Sequence, residues 1–96
     1  MQALCAENFD REINCTESVW LKKLPQALGA NPYNMVARAL SVRVGTGLLA
    51  LSWRTGELLV QTSARPPVIL VSFRFSDVDE VQRYSFMKRF ELCMQG

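Results

Sequence analysis

The spacing of apolar residues changes at Ser41, and this change constrains the fold more than any other feature of the sequence. Upstream of Ser41, apolar residues recur at the intervals of three and four that are typical of an amphipathic helix. Over residues 41–54, apolar and polar residues mostly alternate, as they do along a half-buried strand. A helical segment followed by a run of strands predicts an α+β fold.

The first forty residues predict three helices. Their ranges are 3–14, 16–28 and 32–40. Thr16 is suited to cap the second helix because its hydroxyl accepts a hydrogen bond from a free backbone N–H, and Gly29 is a suitable stop. The first residues of a chain tend to fray, so residues 1–15 are the part in which order is least expected.

Four strands are predicted after these helices, and their connections are short. The strands cover residues 41–44, 49–54, 57–62 and 68–75. Gly45-Thr46-Gly47 has the composition of a three-residue hairpin turn, and Thr55-Gly56 marks the next turn. Short connections between successive strands predict an antiparallel meander.

A last helix is predicted from Ser76 to about Met94. Ser76 followed three residues later by Asp79 resembles a capping box. A helix that packs on one face of a sheet buries the apolar side of both. The chain, residues 1–96, is therefore expected to form a single α+β domain, with N-terminal helices, a four-stranded antiparallel sheet and the C-terminal helix on one sheet face.

The chain has no histidine. Histidine is the usual general base, the usual partner of a nucleophilic serine or cysteine, and the commonest metal ligand. The three cysteines, Cys5, Cys15 and Cys93, are scattered without a Cys-x-x-Cys pair, so they lack the spacing of a zinc site. We therefore expect no enzymatic activity, no metal and no cofactor.

The cysteines also indicate a reducing compartment. An odd number leaves one unpaired, and small secreted scaffolds use more cysteines in even numbers, although a Cys5–Cys15 disulfide stays an open alternative. Residues 1–10 lack the basic and apolar regions of a secretory signal. Apolar stretches fall far short of the roughly 20 residues that cross a bilayer. We expect a cytoplasmic protein without membrane contact.

The tripeptide Ser-x-Arg occurs four times. The copies are Ser41-Val42-Arg43, Ser52-Trp53-Arg54, Ser63-Ala64-Arg65 and Ser72-Phe73-Arg74. Three copies lie on predicted strands, where residues two apart share one face of the sheet. The serines and arginines of these three copies are therefore expected to point away from the helices, while the large apolar residues between them face the core.

The charge distribution agrees with a basic face. The segment from Val36 to Ser76 carries five arginines and one acid, Glu57. Arginine offers a planar fork of donors that suits phosphate and carboxylate, and neighbouring serines add hydrogen bonds. The candidate anion-binding residues are Arg43, Arg54, Arg74, Ser41, Ser52 and Ser72. A solvated face, edge protection and the docking of a protein are the other interpretations.

Nucleic acid is a less favoured ligand for this face. The net charge is only +2, and the basic residues do not form runs. Sheet-based RNA readers stack bases on exposed aromatic side chains. Here Trp53, Phe73 and Phe75 fall on the face that is assigned to the core.

The predicted C-terminal helix carries more apolar surface than one sheet contact requires. One of its two apolar sectors includes Phe86, Met87, Phe90 and Met94. Either the N-terminal helices cover this sector, or another chain does, in which case these residues form a protein interface. A symmetric dimer is then the simplest assembly.

The sequence thus favours a small cytoplasmic, non-enzymatic binding or adaptor domain that acts through protein–protein contact. Self-association through the C-terminal helix is one form of that contact, so a protein partner or a homodimer is expected. The alternative is a domain that binds an anionic ligand, a nucleotide or nucleic acid, on the Ser-x-Arg face.

Overall fold

The computed structural model describes residues 6–56 and 67–95 of the chain. The strands are β1 (Asn8–Ile13), β2 (Tyr33–Val36), β3 (Ala39–Val44), β4 (Gly47–Thr55) and β5 (Ile69–Ser76), and the helices are α1 (Glu17–Leu28) and α2 (Glu80–Gln95). The described strands form one antiparallel sheet in the order β1-β5-β4-β3-β2. The predicted α+β class and antiparallel sheet are confirmed, but five strands and one N-terminal helix replace the predicted four strands and several helices within this part of the chain.

The helix predicted over 3–14 is wrong where the structure describes it, because this segment contains strand β1. Phe9 lies opposite Phe73 in the sheet, and the two rings stack with their centroids 4.9 Å apart. Ile13 lies opposite Ile69. Phe9 and Ile13 are four residues apart, a spacing that fits one face of a helix and one face of a strand equally well. Pairing with β5 therefore decides between the two.

The helix predicted over 32–40 is also wrong, because this segment forms the β2–β3 hairpin. Val36 pairs with Ala39 across a two-residue turn made by Ala37 and Arg38. Ala37 has a φ of 54°, which is uncommon for a residue other than glycine. Since the turn contains neither glycine nor asparagine, the usual composition of a tight hairpin turn is missing from the sequence.

The helix predicted over 16–28 is confirmed as α1. The Oγ1 atom of Thr16 accepts a hydrogen bond of 3.2 Å from the backbone N–H of Val19, as expected for the cap. Gly29 follows the last turn with a φ of 65°. Glycine adopts this left-handed conformation without the steric cost that a Cβ atom imposes.

The strands predicted at 41–44, 49–54 and 68–75 are confirmed as β3, β4 and β5, with ends that differ by at most two residues. The turn between β3 and β4 has two residues rather than three, since Val44 pairs with Gly47. The strand predicted at 57–62 lies outside the described residues.

The start of the last helix differs from the prediction. Ser76 is the end of β5, and α2 begins at Glu80. The cap is Asp79, whose Oδ1 atom accepts a hydrogen bond of 2.8 Å from the backbone N–H of Gln82. Aspartate caps a helix as well as serine does. The residue that caps α2 is therefore the second residue of the predicted capping box, Asp79, and not the first, Ser76.

Both described helices pack on the same face of the sheet. Trp20 of α1 meets the ring of Trp53 edge-on at 5.4 Å, and Phe90 of α2 meets Phe73 edge-on at 5.4 Å. The buried core consists of Trp20, Leu24, Ala27, Leu28, Leu40, Val42, Val44, Leu49, Leu51, Trp53, Ile69, Val71, Phe73, Phe75, Val78, Phe86, Met87 and Phe90. Neither described helix is long and apolar enough to cross a membrane.

Candidate functional site

The face of the sheet that lies opposite the helices is called the open face below. It comprises the outward side chains of Asn8, Asp10, Glu12, Asn34, Val36, Ala39, Ser41, Arg43, Leu48, Ala50, Ser52, Arg54, Leu70, Ser72, Arg74 and Ser76. Strand alternation produces this face, because the residues between these positions supply the core. No described helix packs on it.

The structure places all six candidate anion-binding residues on the open face. Five of them are exposed and Ser72 is half-buried. The residues that separate each serine from its arginine are buried: Val42 and Phe73 are 0% exposed, and Trp53 is 5% exposed. The bulky side chains therefore lie beneath the helices, and the serines and arginines lie on the other side of the sheet.

The strand register brings the serines together but keeps the arginines apart. Ser52 lies directly opposite Ser72 on adjacent strands. Arg74 lies opposite Ala50, whereas Arg54 lies opposite Leu70. Adjacent strands are about 4.8 Å apart and residues rise about 3.3 Å, so the backbones of Arg54 and Arg74 are separated by roughly 14 Å. The arginines therefore do not converge on one point.

Two carboxylates on β1 share the open face with these arginines. Asp10 lies opposite Ser72, and Glu12 lies opposite Leu70. Both carboxylates line a shallow depression of about 390 Å³, together with Ser52 and Arg54. The face thus has mixed charge rather than the predominantly basic charge that the sequence indicated, because the segment predicted as a helix is its edge strand.

The arginines of the open face differ from Arg38 in their partners. Arg38 donates two hydrogen bonds of 2.8 Å to the carboxylate of Glu17. Within residues 6–56 and 67–95, the guanidinium groups of Arg43, Arg54 and Arg74 make no hydrogen bond or ion pair. These three guanidinium groups are therefore available to a ligand.

Glu17 forms a polar contact at the start of α1 that the sequence did not indicate. Its carboxylate accepts hydrogen bonds from Arg38 and, at 3.0 Å, from the Nε1 atom of Trp53. The hydrogen bonds from Arg38, and then from Trp53, lower the pKa of Glu17. Both carboxylate oxygens of Glu17 have partners within the chain, so this contact fastens the β2–β3 turn to α1 and is not a candidate binding site.

The predicted protein interface on the C-terminal helix lies largely in the core. Phe86, Met87 and Phe90 are 8%, 5% and 1% exposed, and Met94 is half-buried. The ring of Phe90 meets Trp20 of α1 edge-on, so the chain's own N-terminal helix helps to cover this sector. The four side chains therefore offer little surface to a second chain.

Two of the three cysteines lie among the described residues. Cys15 and Cys93 are free thiols. Burial raises the pKa of the Cys15 thiol, which disfavours the nucleophilic thiolate form. In the described ranges, metal-ligating side chains do not gather into a group of three or more.

The open face thus offers three guanidinium groups without a partner among the described residues, two serines opposite each other on adjacent strands, and two carboxylates on a broad surface. A scan against known protein families and searches of curated proteins and of solved structures find no match to this chain.

Proposed function

We propose that the chain is a non-enzymatic binding domain that docks a protein partner on its open face. The observation on which this depends is that Arg43, Arg54 and Arg74 lie there without an ion-pair partner among the described residues. A guanidinium group on a flat surface gains most from a carboxylate that approaches it in bidentate geometry. Another protein surface supplies several carboxylates at once.

The charges of the open face define the chemistry of that partner. A complementary surface carries acidic side chains over β3, β4 and β5, and a basic side chain over Asp10 and Glu12 of β1. The middle of the face is lined by the small side chains of Ala50, Ser52 and Ser72. Small side chains allow the partner to approach the sheet closely.

A protein suits the open face better than a single small anion does. The backbones of Arg54 and Arg74 are roughly 14 Å apart, so the guanidinium groups are anchored across the sheet rather than grouped around one phosphate-sized point. Asp10 and Glu12 repel an anion in the depression beside Arg54. A typical protein interface covers about 800 Å² on each partner, which is the scale of a whole sheet face.

An anionic ligand is a second candidate, and one observation favours it. Ser52 and Ser72 are direct cross-strand partners, so their hydroxyl groups lie side by side, with Arg54 two residues along β4. These groups together match the donors that a phosphate group requires. In either case we place the domain in a reducing compartment such as the cytoplasm, because Cys15 and Cys93 are free thiols.

The proposal is tested with three versions of the chain as affinity baits in a lysate of its source cells. The first is the wild type, and the second carries Arg54→Glu and Arg74→Glu on the open face. The third carries Lys22→Glu and Lys88→Glu, which make the same charge change on exposed positions of the helices. We expect a protein that binds the wild type and the helix variant, and whose affinity for the open-face variant falls at least about tenfold because like charges then meet.

Calorimetry with the purified captured protein measures that loss directly. Equal binding to all three baits, or a loss only for the helix variant, contradicts docking on the open face. A parallel titration with inorganic pyrophosphate, followed by NMR, tests the second candidate. Shifts at the amides of Ser52 and Ser72, without any capture that depends on the open face, favour the anionic ligand instead.

A further inference from the structure

The two edges of the described sheet differ in their protection against pairing with another strand. The outer strand β1 has the sequence Asn-Phe-Asp-Arg-Glu-Ile, in which three consecutive residues are charged. The opposite outer strand β2 has the sequence Tyr-Asn-Met-Val and carries no charge. Natural sheets usually protect an edge with charged residues, proline or a bulge. β2 has none of these between Tyr33 and Val36.

The hairpin register determines which backbone groups of β2 are free. Val36 pairs with Ala39 next to the two-residue turn, and Arg43 donates a backbone hydrogen bond of 3.0 Å to the carbonyl oxygen of Pro32. Alternate residues of an antiparallel strand direct their N–H and C=O groups toward the same neighbour. The even-numbered residues of β2 therefore bond to β3, and Tyr33 and Met35 direct their N–H and C=O groups away from the sheet.

The side chains of β2 are exposed as well as its backbone. Tyr33 is 42% exposed, Met35 is 44% exposed and Val36 is 70% exposed. Arg38, two residues beyond the end of β2, is held by the carboxylate of Glu17. The edge thus combines backbone groups that have no partner among residues 6–56 and 67–95 with uncharged, largely apolar side chains.

We propose that β2 pairs with β2 of a second copy of this chain to form a symmetric dimer. A two-fold axis at Asn34, perpendicular to the sheet, places Tyr33 of each copy opposite Met35 of the other. Both residues direct their backbone groups outward, so each Tyr33–Met35 pair forms two N–H to C=O hydrogen bonds. The two equivalent pairs form about four hydrogen bonds in total.

The side chains fit the same register. Tyr33 and Met35 project on the helix side of the sheet, so each aromatic ring meets a thioether of the other copy, which is a favourable contact. The two Asn34 side chains meet at the axis on the other side of the sheet. No like charges oppose each other within the paired strands. A second copy of β2 therefore supplies hydrogen-bond partners for the outward backbone groups of this edge and an apolar contact for Tyr33 and Met35.

Dimerisation through β2 joins the two sheets edge to edge and leaves the open face of each copy uncovered. The helices of both copies lie on the same side of the joined sheet, because the two-fold axis is perpendicular to it. Two open faces then form one continuous surface, which gives a protein partner two equivalent sites. This pairing depends on the outward backbone groups and the helix-side side chains of β2, whereas docking on the open face depends on Arg43, Arg54 and Arg74, so either idea can fail without the other.

Sedimentation velocity of the whole chain from micromolar to millimolar concentration tests the dimer. We expect reversible dimerisation, with a dissociation constant that Met35→Lys raises at least about tenfold, because a charge then lies on the edge and the apolar contact is lost. Tyr33→Lys is a second variant with the same expected effect. Val81→Lys is the matched control, since Val81 is 67% exposed and belongs to α2 rather than to β2.

Hydrogen exchange on the wild type locates the interface. The amides of Tyr33 and Met35 are expected to gain protection as the concentration rises, in parallel with the dimer fraction. A strictly monomeric wild type overturns the proposal, as does a dimer that persists in both edge variants. A dimer that only Val81→Lys dissociates also overturns it, because self-association then uses the C-terminal helix.

Discussion

Replacing Phe90 by alanine is expected to lower the free energy of unfolding by about 3–5 kcal/mol. Phe90 is 1% exposed and lies where α1, α2 and the sheet meet. Its ring centroid lies 5.4 Å from that of Phe73, 5.9 Å from that of Phe86 and 6.0 Å from that of Trp20. Alanine removes all three contacts and leaves a cavity that rigid neighbours do not fill.

This loss is large for a domain of this size. The free energy of unfolding of a small domain is about 5–15 kcal/mol, so the Phe90→Ala variant retains little stability. Urea denaturation followed by circular dichroism measures the change as a lower midpoint. Leu92→Ala on the same helix is the control, because Leu92 is 61% exposed and its loss is expected to cost at most about 0.5 kcal/mol. The reverse order of the two effects contradicts the orientation of α2.

The second large effect is expected for Gly47→Ala at the start of β4. A Cβ atom at this position would collide with the backbone carbonyl oxygens of Ser76 and Asp77. Backbone atoms cannot turn aside as a flexible side chain does, so β4 and the end of β5 must separate locally. We expect a loss of about 1–3 kcal/mol, as for other overpacked sites.

Calorimetry measures this loss as a lower melting temperature, with a shift of roughly 4–8 °C for each kcal/mol in a domain of this size. Thr46→Ala is the control, because Thr46 is exposed in the same turn. An unchanged melting temperature in Gly47→Ala contradicts the close approach of β4 to the segment that leaves β5.

The sequence predicted correctly those elements whose local residue pattern fits only one kind of secondary structure. Thr16 and Gly29 mark the two ends of α1 with a cap and a left-handed stop. Strands β3, β4 and β5 alternate strictly between buried and outward residues over most of their length. Alternation of this kind fits only a strand that is buried on one face.

The elements that the sequence missed are the two outer strands. Phe9 and Ile13 of β1 have a spacing that fits both a helix and a strand, and the choice depends on Phe73 and Ile69, which are distant in the sequence. β2 has four residues, and all of them are exposed, so its sequence does not alternate between buried apolar and exposed polar residues. Tertiary pairing determines both strands, and local propensity does not reveal it.

The candidate site was predicted in part for the same reason. The orientation of Arg43, Arg54 and Arg74 follows from strand alternation, so the sequence was sufficient to place them on one face. The carboxylates of Asp10 and Glu12 lie on that face because β1 is a strand, which the sequence did not predict. The change from a basic face to one of mixed charge is the reason that we propose a protein surface, rather than a small anion, as the ligand of this face.

The central claim is that the helices cover one face of the sheet and leave the other to solvent. NMR of the methyl groups with a soluble paramagnetic agent tests this claim, because relaxation increases with exposure to the agent. We expect strong broadening of the Leu48 and Ala50 methyls, which lie on the open face, and little for Leu49 and Leu51, which are 0% and 1% exposed. Equal broadening of both sets, or protection of Leu48 and Ala50 in the monomer, contradicts the account.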